Sequence, residues 1–223
     1  MEKNGKIMSV ADGAAITDCT PSILTRWAEA RGIAVAIGIF SRTPSRPEES
    51  ASVRTLARRL FERTGIINVE VGRGANGAPT WPEAWIGSLA HSSGYVMAAI
   101  AKAKNGTGLG VDIELPSRLN RDMWPHVFTG SESAALAGHD CLLSARRAAV
   151  AFAAKEAAYK ALYPKYPDAL GFLDTEVQFS SSSDWLLHVG TEGRLPSGLR
   201  IGGIHVDIGP MVATLCVVEP HGD

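Results

Sequence analysis

The chain has 223 residues, 45% hydrophobic and 20% charged, the make-up of an ordinary globular protein with room for one large domain or two small ones. A formal net charge of -1 excludes a global pull toward nucleic acid or a membrane surface, so any charge-driven binding must be local. Cys19, Cys141 and Cys216 are far apart with no Cys-x-x-Cys pair, which excludes a ribbon-type zinc site and a disulfide scaffold and fits a reducing cytoplasm.

The first residues lead into no hydrophobic signal segment. The longest apolar run, Ile33 to Phe40 broken by Gly38, is far too short to span a bilayer, so a cytoplasmic, non-membrane protein is expected. That run reads as a strand buried on both faces. Ser41 to Ser52, rich in proline, serine and charge, reads as a loop. From Ser52 to Arg63, Val53, Leu56, Ala57, Leu60 and Phe61 recur at helical spacing with arginines opposite, predicting an amphipathic helix with a basic face. Gly72 to Pro79 is a glycine-dense loop. Tyr95 to Ala101 and Leu109 to Glu114 are strand candidates separated by Lys104-Asn105-Gly106-Thr107, whose Asn-Gly step favours a type I′ hairpin.

The second half predicts a short helix over Ser131 to Ala137 and a long alanine-rich helix from Cys141 to Tyr163, stopped by Pro164. Strands follow over Glu176 to Phe179, Trp185 to Val189, Ile201 to Val206 and Met211 to Val218. Helix followed by antiparallel meander, twice over, predicts an α+β protein of two similar lobes. The join is expected near Leu115-Pro116-Ser117, giving an N-terminal lobe of residues 1–114 and a C-terminal lobe of 115–223. Asp112 and Glu114 would then lie at a cleft between lobes, where ligand sites are commonly built.

The residues with the sharpest chemistry are Gly110-Val111-Asp112-Ile113-Glu114 and Lys155-Glu156-Ala157-Ala158-Tyr159-Lys160. Residues two apart in a strand share a face, so Asp112 and Glu114 project together. Glu156 and Lys160 are one helical turn apart and also share a face. Three carboxylates with an ammonium beside them suit a hard, oxygen-loving cation such as Mg2+ handling a diphosphate, better than zinc or copper.

These two segments, the second extended as Phe152-Ala153-Ala154-Lys155-Glu156-Ala157-Ala158-Tyr159-Lys160-Ala161-Leu162-Tyr163-Pro164, closely resemble the two signature motifs of 4′-phosphopantetheinyl transferases. Gly87-Ser88-Leu89-Ala90-His91-Ser92 is similar to the family's serine-histidine motif and lies upstream of the acidic pair, as in the family. Val71 to Pro82 and Leu170-Gly171-Phe172-Leu173-Asp174 resemble the enterobactin-synthesis branch, of Sfp/EntD-like type. The resemblance runs from about residue 42 to residue 180, and residues 1–30 carry no part of it.

The resemblance implies a pseudo-twofold, two-lobed monomer, each lobe an antiparallel sheet packed with a long helix. It would move the phosphopantetheine arm of coenzyme A onto a serine of an apo acyl or peptidyl carrier protein, releasing adenosine 3′,5′-bisphosphate. Asp112, Glu114 and Glu156 would hold Mg2+, with Mn2+ as an alternative, and Lys160 would reach a phosphate oxygen. The nucleophile belongs to the partner, and Glu156 or a metal-polarised water beside it is the natural base. The 3′-phosphate of CoA needs fixed positive charge, and six arginines between Arg42 and Arg63 form a basic stripe. Arg42, Arg46, Arg54, Thr55 and Arg59 are assigned to CoA, together with Lys155 and Lys160. Arg73 with Gly77 and Pro79 fits the family's adenine-cradling loop, and His91 matches its phosphate-contacting histidine. Tyr163, Lys165 and Phe172 are candidates for touching the carrier protein. The chain departs from the family at Ala90 and Ala153, where serines are usual.

Four rival readings compete with this one. A small holo-acyl-carrier-protein synthase resembles one lobe and forms trimers, but this chain is long enough for both lobes. A Mg2+-dependent nucleotide phosphohydrolase would act on CoA with no carrier present. A non-catalytic binding module is opposed by the retention of all three carboxylates and Lys160. No Gly-x-Ser-x-Gly elbow points to a serine hydrolase.

Overall fold

The computed structural model describes residues 7–9, 15–104, 106–180, 182–190 and 194–220. The chain divides into two compact units, Met1–Ala103 and Lys104–Asp223. Each contains a five-stranded sheet, antiparallel at every pairing, packed with a long helix.

The first unit runs β1 (Ile7–Ser9), β2 (Ala15–Asp18), α1 (Ser22–Glu29), β3 (Ile33–Phe40), α2 (Arg46–Arg63), the small hairpin of β4 (Gly72–Arg73) and β5 (Pro79–Thr80), then β6 (Trp85–Ser92) and β7 (Tyr95–Lys102). Its sheet has the order β1-β2-β3-β7-β6. The apolar face of α2, with Val53, Leu56, Ala57, Leu60 and Phe61, packs on Ala36, Phe40, Val96, Ala98 and Ile100 of the sheet. Trp85 meets Phe61 edge-on at 5.0 Å, so the aromatics of this region belong to the core. Helix α2 begins at Arg46, inside the stretch expected to be loop. Ser45 caps it in a reciprocal capping box with Glu48, and Pro47 is pre-set for a first turn, so polar residues that suggest a loop are here a helix start.

The second unit runs β8 (Gly108–Glu114), two short 3-10 turns (Pro116–Arg118 and Arg121–Met123), α3 (Trp124–Val127), α4 (Gly130–Ala137) and α5 (Cys141–Leu162). A third 3-10 turn (Phe172–Asp174) then leads into β9 (Thr175–Phe179), β10 (Asp184–Val189), β11 (Leu199–Ile208) and β12 (Met211–Pro220), in a sheet of order β8-β12-β11-β10-β9.

Two expectations are corrected here. The predicted hairpin between β7 and β8 does not form: β7 pairs with β3 and β6, while β8 pairs along its length with β12, from Glu114 opposite Val212 to Gly108 opposite Val218. The boundary therefore falls after Ala103 and not after Glu114. The turn itself closes, with the Thr107 N–H donating to the Lys104 carbonyl at 3.1 Å, but a local turn does not decide strand pairing when a distant strand completes the whole hydrogen-bond ladder. Asn105 itself lies outside the described residues.

The two units share one topological rule. In each, the strand before the long helix takes as neighbour the last strand of the meander that follows the helix: β7 returns to β3, and β12 returns to β8.

Candidate active site

Positions 108, 110, 112 and 114 of β8 share one face, and the chain places two glycines and then two carboxylates along it. The glycines let α5 lie directly on the strand. A Cβ at Gly110 would stand 1.8 Å from the carbonyl oxygen of Ala157, and one at Gly108 would stand 2.3 Å from that of Ala161. On the helix side, Ala153, Ala157 and Ala161 form a buried stripe of small residues one turn apart. The Thr214 hydroxyl of β12 donates to the Ala153 carbonyl at 2.9 Å, holding α5 down on the sheet. Glu156 and Lys160 occupy the adjoining row of the helix.

The Lys160 ammonium donates to Asp112 Oδ1 at 2.6 Å and to the Val111 carbonyl at 3.1 Å. Asp112 is buried, and its other oxygen, Oδ2, is buried with no hydrogen-bond partner. Burial, then the Asp112 charge, pushes the Glu114 carboxyl up to about 7. Lys160 and Arg118 pull against that shift, and Glu156 adds to it. Burial and Asp112 also push Glu156 above the usual carboxylate range, with Lys160 opposing. Asp112, Glu114 and Glu156 thus act on one another by like charge, with the Lys160 ammonium opposing.

That imbalance is the signature of a site short of positive charge. Among the described residues no three acidic, histidine or cysteine side chains stand as a ready-made metal cluster, and the Lys160 ammonium is paired with Asp112 Oδ1. The donor set nevertheless fits a hard divalent ion: all three groups supply oxygen, and the unsatisfied Asp112 Oδ2 has lone pairs available. All four side chains belong to the second unit, on β8 and α5, rather than being divided between two lobes as expected.

Beside Glu156 opens a pocket of about 170 Å3, walled by Tyr159, Leu170 and Phe172 among others. Lys155, assigned above to CoA, lies at its edge but is 3% exposed. Its three ammonium protons go to Glu132 Oε2 at 2.6 Å, Phe172 O at 2.8 Å and Val127 O at 2.9 Å. That assignment is corrected: a lysine with all three donors satisfied internally is a strut, joining α5 to α4 and to the turn that carries Phe172. Burial lowers its pKa, and the Glu132 carboxylate pulls it back up. Phe172 stacks on Phe152 at 5.6 Å, Tyr163 lies beside Tyr159 at 5.4 Å, and Lys165 is exposed with Nζ 3.5 Å from the Thr107 carbonyl. Tyr159, Leu170 and Glu132 were not among the expected site residues. Glu132 was legible only as a capping-box residue, three after Thr129.

In the first unit the basic stripe is partly engaged. Arg42 is paired with Glu48, and Arg46 is exposed. The Thr55 hydroxyl accepts from Arg58 at 2.8 Å and donates to Ala51 O, and Arg59 lies half-buried on α2. Arg54 donates to the Ser50 carbonyl and hydroxyl, both at 2.9 Å. Burial, with the Arg73 charge adding to it, lowers its pKa, so two guanidinium groups face one region. The Arg73 side chain lies over Gly77, where the backbone is left-handed (φ 84°) and a Cβ would come within 3.4 Å of the guanidinium. Pro79 is paired opposite Arg73 across the small hairpin. His91, on β6, has Nδ1 3.1 Å from Glu49 Oε2.

Residues 39–101 match the 4′-phosphopantetheinyl transferase N-terminal domain, and residues 108–201 match the 4′-phosphopantetheinyl transferase superfamily. The 4′-phosphopantetheinyl transferase Svp of Streptomyces mobaraensis is 32% identical over 84% of this chain and 78% of its own. The chain belongs to the 4′-phosphopantetheinyl transferase superfamily.

Two further 4′-phosphopantetheinyl transferases are similar to it. Npt of Nocardia iowensis is 34% identical over 63% of each chain, and PptT of Mycobacterium tuberculosis is 29% identical over 76% of this chain and 72% of its own. This transferase is therefore an enzyme that moves phosphopantetheine onto carrier proteins. The gap between the two matched segments, 102–107, brackets the boundary between its two units. Ala90 and Ala153, at positions where the resemblance expects serines, are both buried.

Proposed function

We propose that this transferase takes the 4′-phosphopantetheine arm from coenzyme A, in a Mg2+-dependent reaction, and attaches it to the serine hydroxyl of an apo acyl or peptidyl carrier protein, releasing adenosine 3′,5′-bisphosphate. One observation carries this reading: Asp112, Glu114 and Glu156 raise one another's proton affinity on β8 and α5 while Lys160 pairs with Asp112, and a buried carboxylate oxygen is left unsatisfied. Mg2+, or Mn2+ in its place, would be held by those three carboxylates and would supply the charge that neutralises a diphosphate as its bridging bond breaks.

The protein's own groups divide the remaining work. Lys160, two of whose three protons are held by Asp112 and Val111, has a third to give a phosphate oxygen. Glu156, whose proton affinity burial raises above that of an ordinary carboxylate, takes the proton of the incoming serine hydroxyl. The pocket beside it, with Tyr159, Leu170 and Phe172 in its wall, suits the uncharged pantetheine chain. In the first unit Arg54, Arg73 and His91 suit the 3′-phosphate, with Arg46 and Arg59 adding charge, while Gly77 and Pro79 shape the loop for adenine.

Tyr163, Lys165 and Phe172 are the proposed carrier contacts. The enzyme would work as a cytoplasmic monomer in siderophore, non-ribosomal peptide or polyketide synthesis, with no nucleic-acid or membrane partner. No helix among the described residues is long and apolar enough to cross a membrane. The decisive experiment mixes the protein with CoA, Mg2+ and an apo carrier protein and weighs the carrier by mass spectrometry. The carrier should gain one phosphopantetheine. No gain with any acyl or peptidyl carrier, or CoA hydrolysis without one, would sink the proposal.

A further inference from the structure

We propose that Glu49 is a positioning residue for His91: it keeps the imidazole proton on Nδ1 and turns Nε2 outward to the substrate phosphate. This rests on the reading of His91 as a phosphate contact. Glu49 lies on α2 and is 7% exposed, among the buried residues Ser52, Val53 and Leu56 of the same helix. A carboxylate in such a place costs solvation that its partners must offset.

Both of its oxygens are used. Oε1 accepts the Gly94 N–H at 2.7 Å, and Oε2 faces His91 Nδ1 at 3.1 Å. Gly94 sits in the two-residue turn between β6 and β7, where Ser93 and Gly94 are both left-handed (φ 53° and 81°), and its carbonyl accepts the Phe40 N–H at 2.9 Å. One carboxylate thus fixes both the turn that ends β6 and the ring that β6 carries.

Clamping the turn needs only Oε1. The second oxygen is aimed at the Nδ1 edge of a ring whose side chain is still 31% exposed, so the ring is held on one edge while part of it meets solvent. An ionised carboxylate only accepts, so Nδ1 must donate, which assigns Nε2 to whatever approaches from solvent. When Nε2 also carries a proton it becomes a charged donor suited to a phosphate, with Glu49 as the buried counter-charge.

The test is Glu49→Gln. Its amide oxygen can keep the Gly94 bond, which leaves an NH2 facing Nδ1 and reverses the direction of that bond. Nitrogen NMR of histidine-labelled free protein should find His91 protonated on Nδ1 in the wild type and on Nε2 alone in the variant. Steady-state transfer should show KM for CoA raised about tenfold, the worth of one charge-assisted hydrogen bond, with kcat within about twofold. In a His91→Ala background the same substitution should add nothing to KM. The proposal is overturned if wild-type His91 is unprotonated on Nδ1, a measurement that holds even if the variant fails to fold. It is also overturned if Glu49→Gln raises KM equally without His91. Failure of the underlying reading looks different: His91→Ala would leave KM for CoA unchanged, or the wild type would transfer nothing, whatever the tautomer.

Discussion

The α-carbon of Gly110 and the carbonyl oxygen of Ala157 lie so close that a Cβ on the glycine would stand 1.8 Å from that oxygen. This contact sets the distance between β8 and α5, and so the distance from Asp112 to Lys160. Gly110→Ala should force the helix off the strand, costing about 1–3 kcal/mol of stability or more, and should abolish transfer. Gly130→Ala is the control, since a Cβ there meets nothing within 4 Å, and it should change stability by less than about 1 kcal/mol. Urea titration of both variants checks the pair.

Glu156→Gln should leave the fold intact and reduce transfer at least about a hundredfold, because the amide can neither take a proton nor offer an anionic oxygen. Turnover by mass spectrometry, beside an unchanged thermal melt, is the measurement. Near-normal turnover would remove Glu156 from the site.

The unsatisfied Asp112 oxygen predicts binding of a divalent ion independently of catalysis. Mg2+ should raise the thermal midpoint of the wild type, as any ligand of the native state does, and should not raise that of Asp112→Asn. A chelator should stop transfer, and Mg2+ or Mn2+ should restore it.

Lys155 and Glu132 form a buried ion pair that is a strut, not a substrate contact. Lys155→Met should destabilise the protein by about 3–5 kcal/mol by stranding the Glu132 charge, and Lys155→Met with Glu132→Gln should recover part of that loss. If Lys155→Met instead raised KM for CoA at unchanged stability, the lysine would belong with the substrate groups.

His205 is buried, with Nδ1 unpaired, and burial lowers its pKa from 6.5, with Arg146 adding to the shift and Asp207, Asp184 and the Ser183 hydrogen bond opposing it. The unfolded chain therefore binds this proton more readily than the folded one. The neutral ring's contribution is complete above pH 6.5 and is lost as pH falls below it toward the folded value. The raised Glu114 carboxyl pulls the other way over the same window, so the test is the difference: between pH 7.5 and 5.5 the urea midpoint of the wild type should lose more, or gain less, than that of His205→Gln. An equal change in the two would place the acid sensitivity elsewhere.

Much of this was readable beforehand. The period-two pair Asp112 and Glu114, and the one-turn pair Glu156 and Lys160, are covalent spacings, so the faces they share follow from strand and helix geometry alone. The long helix and the apolar strand Ile33–Phe40 were equally legible, since continuous burial leaves a pattern in the residues themselves. Misread segments were those where local signals compete with distant partners. Ser45 and Glu48 read as loop until seen to cap α2, and Asn105-Gly106 read as a hairpin although β8 pairs with β12, about a hundred residues on.

By itself, then, the sequence determined the chemistry on offer: three carboxylates, an ammonium at helical spacing and a basic segment, in the order the transferase superfamily uses. Only the tertiary structure decided which of those groups act together. It assigned Asp112 and Glu114 to the same unit as Glu156 and Lys160, buried Lys155 among three internal acceptors, and brought Glu49 to His91 from 42 residues away. The physical reason is common to all three. A side chain's charge is written in its residue type, but whether that charge meets water, a ligand or another side chain depends on long-range packing, which no local spacing records.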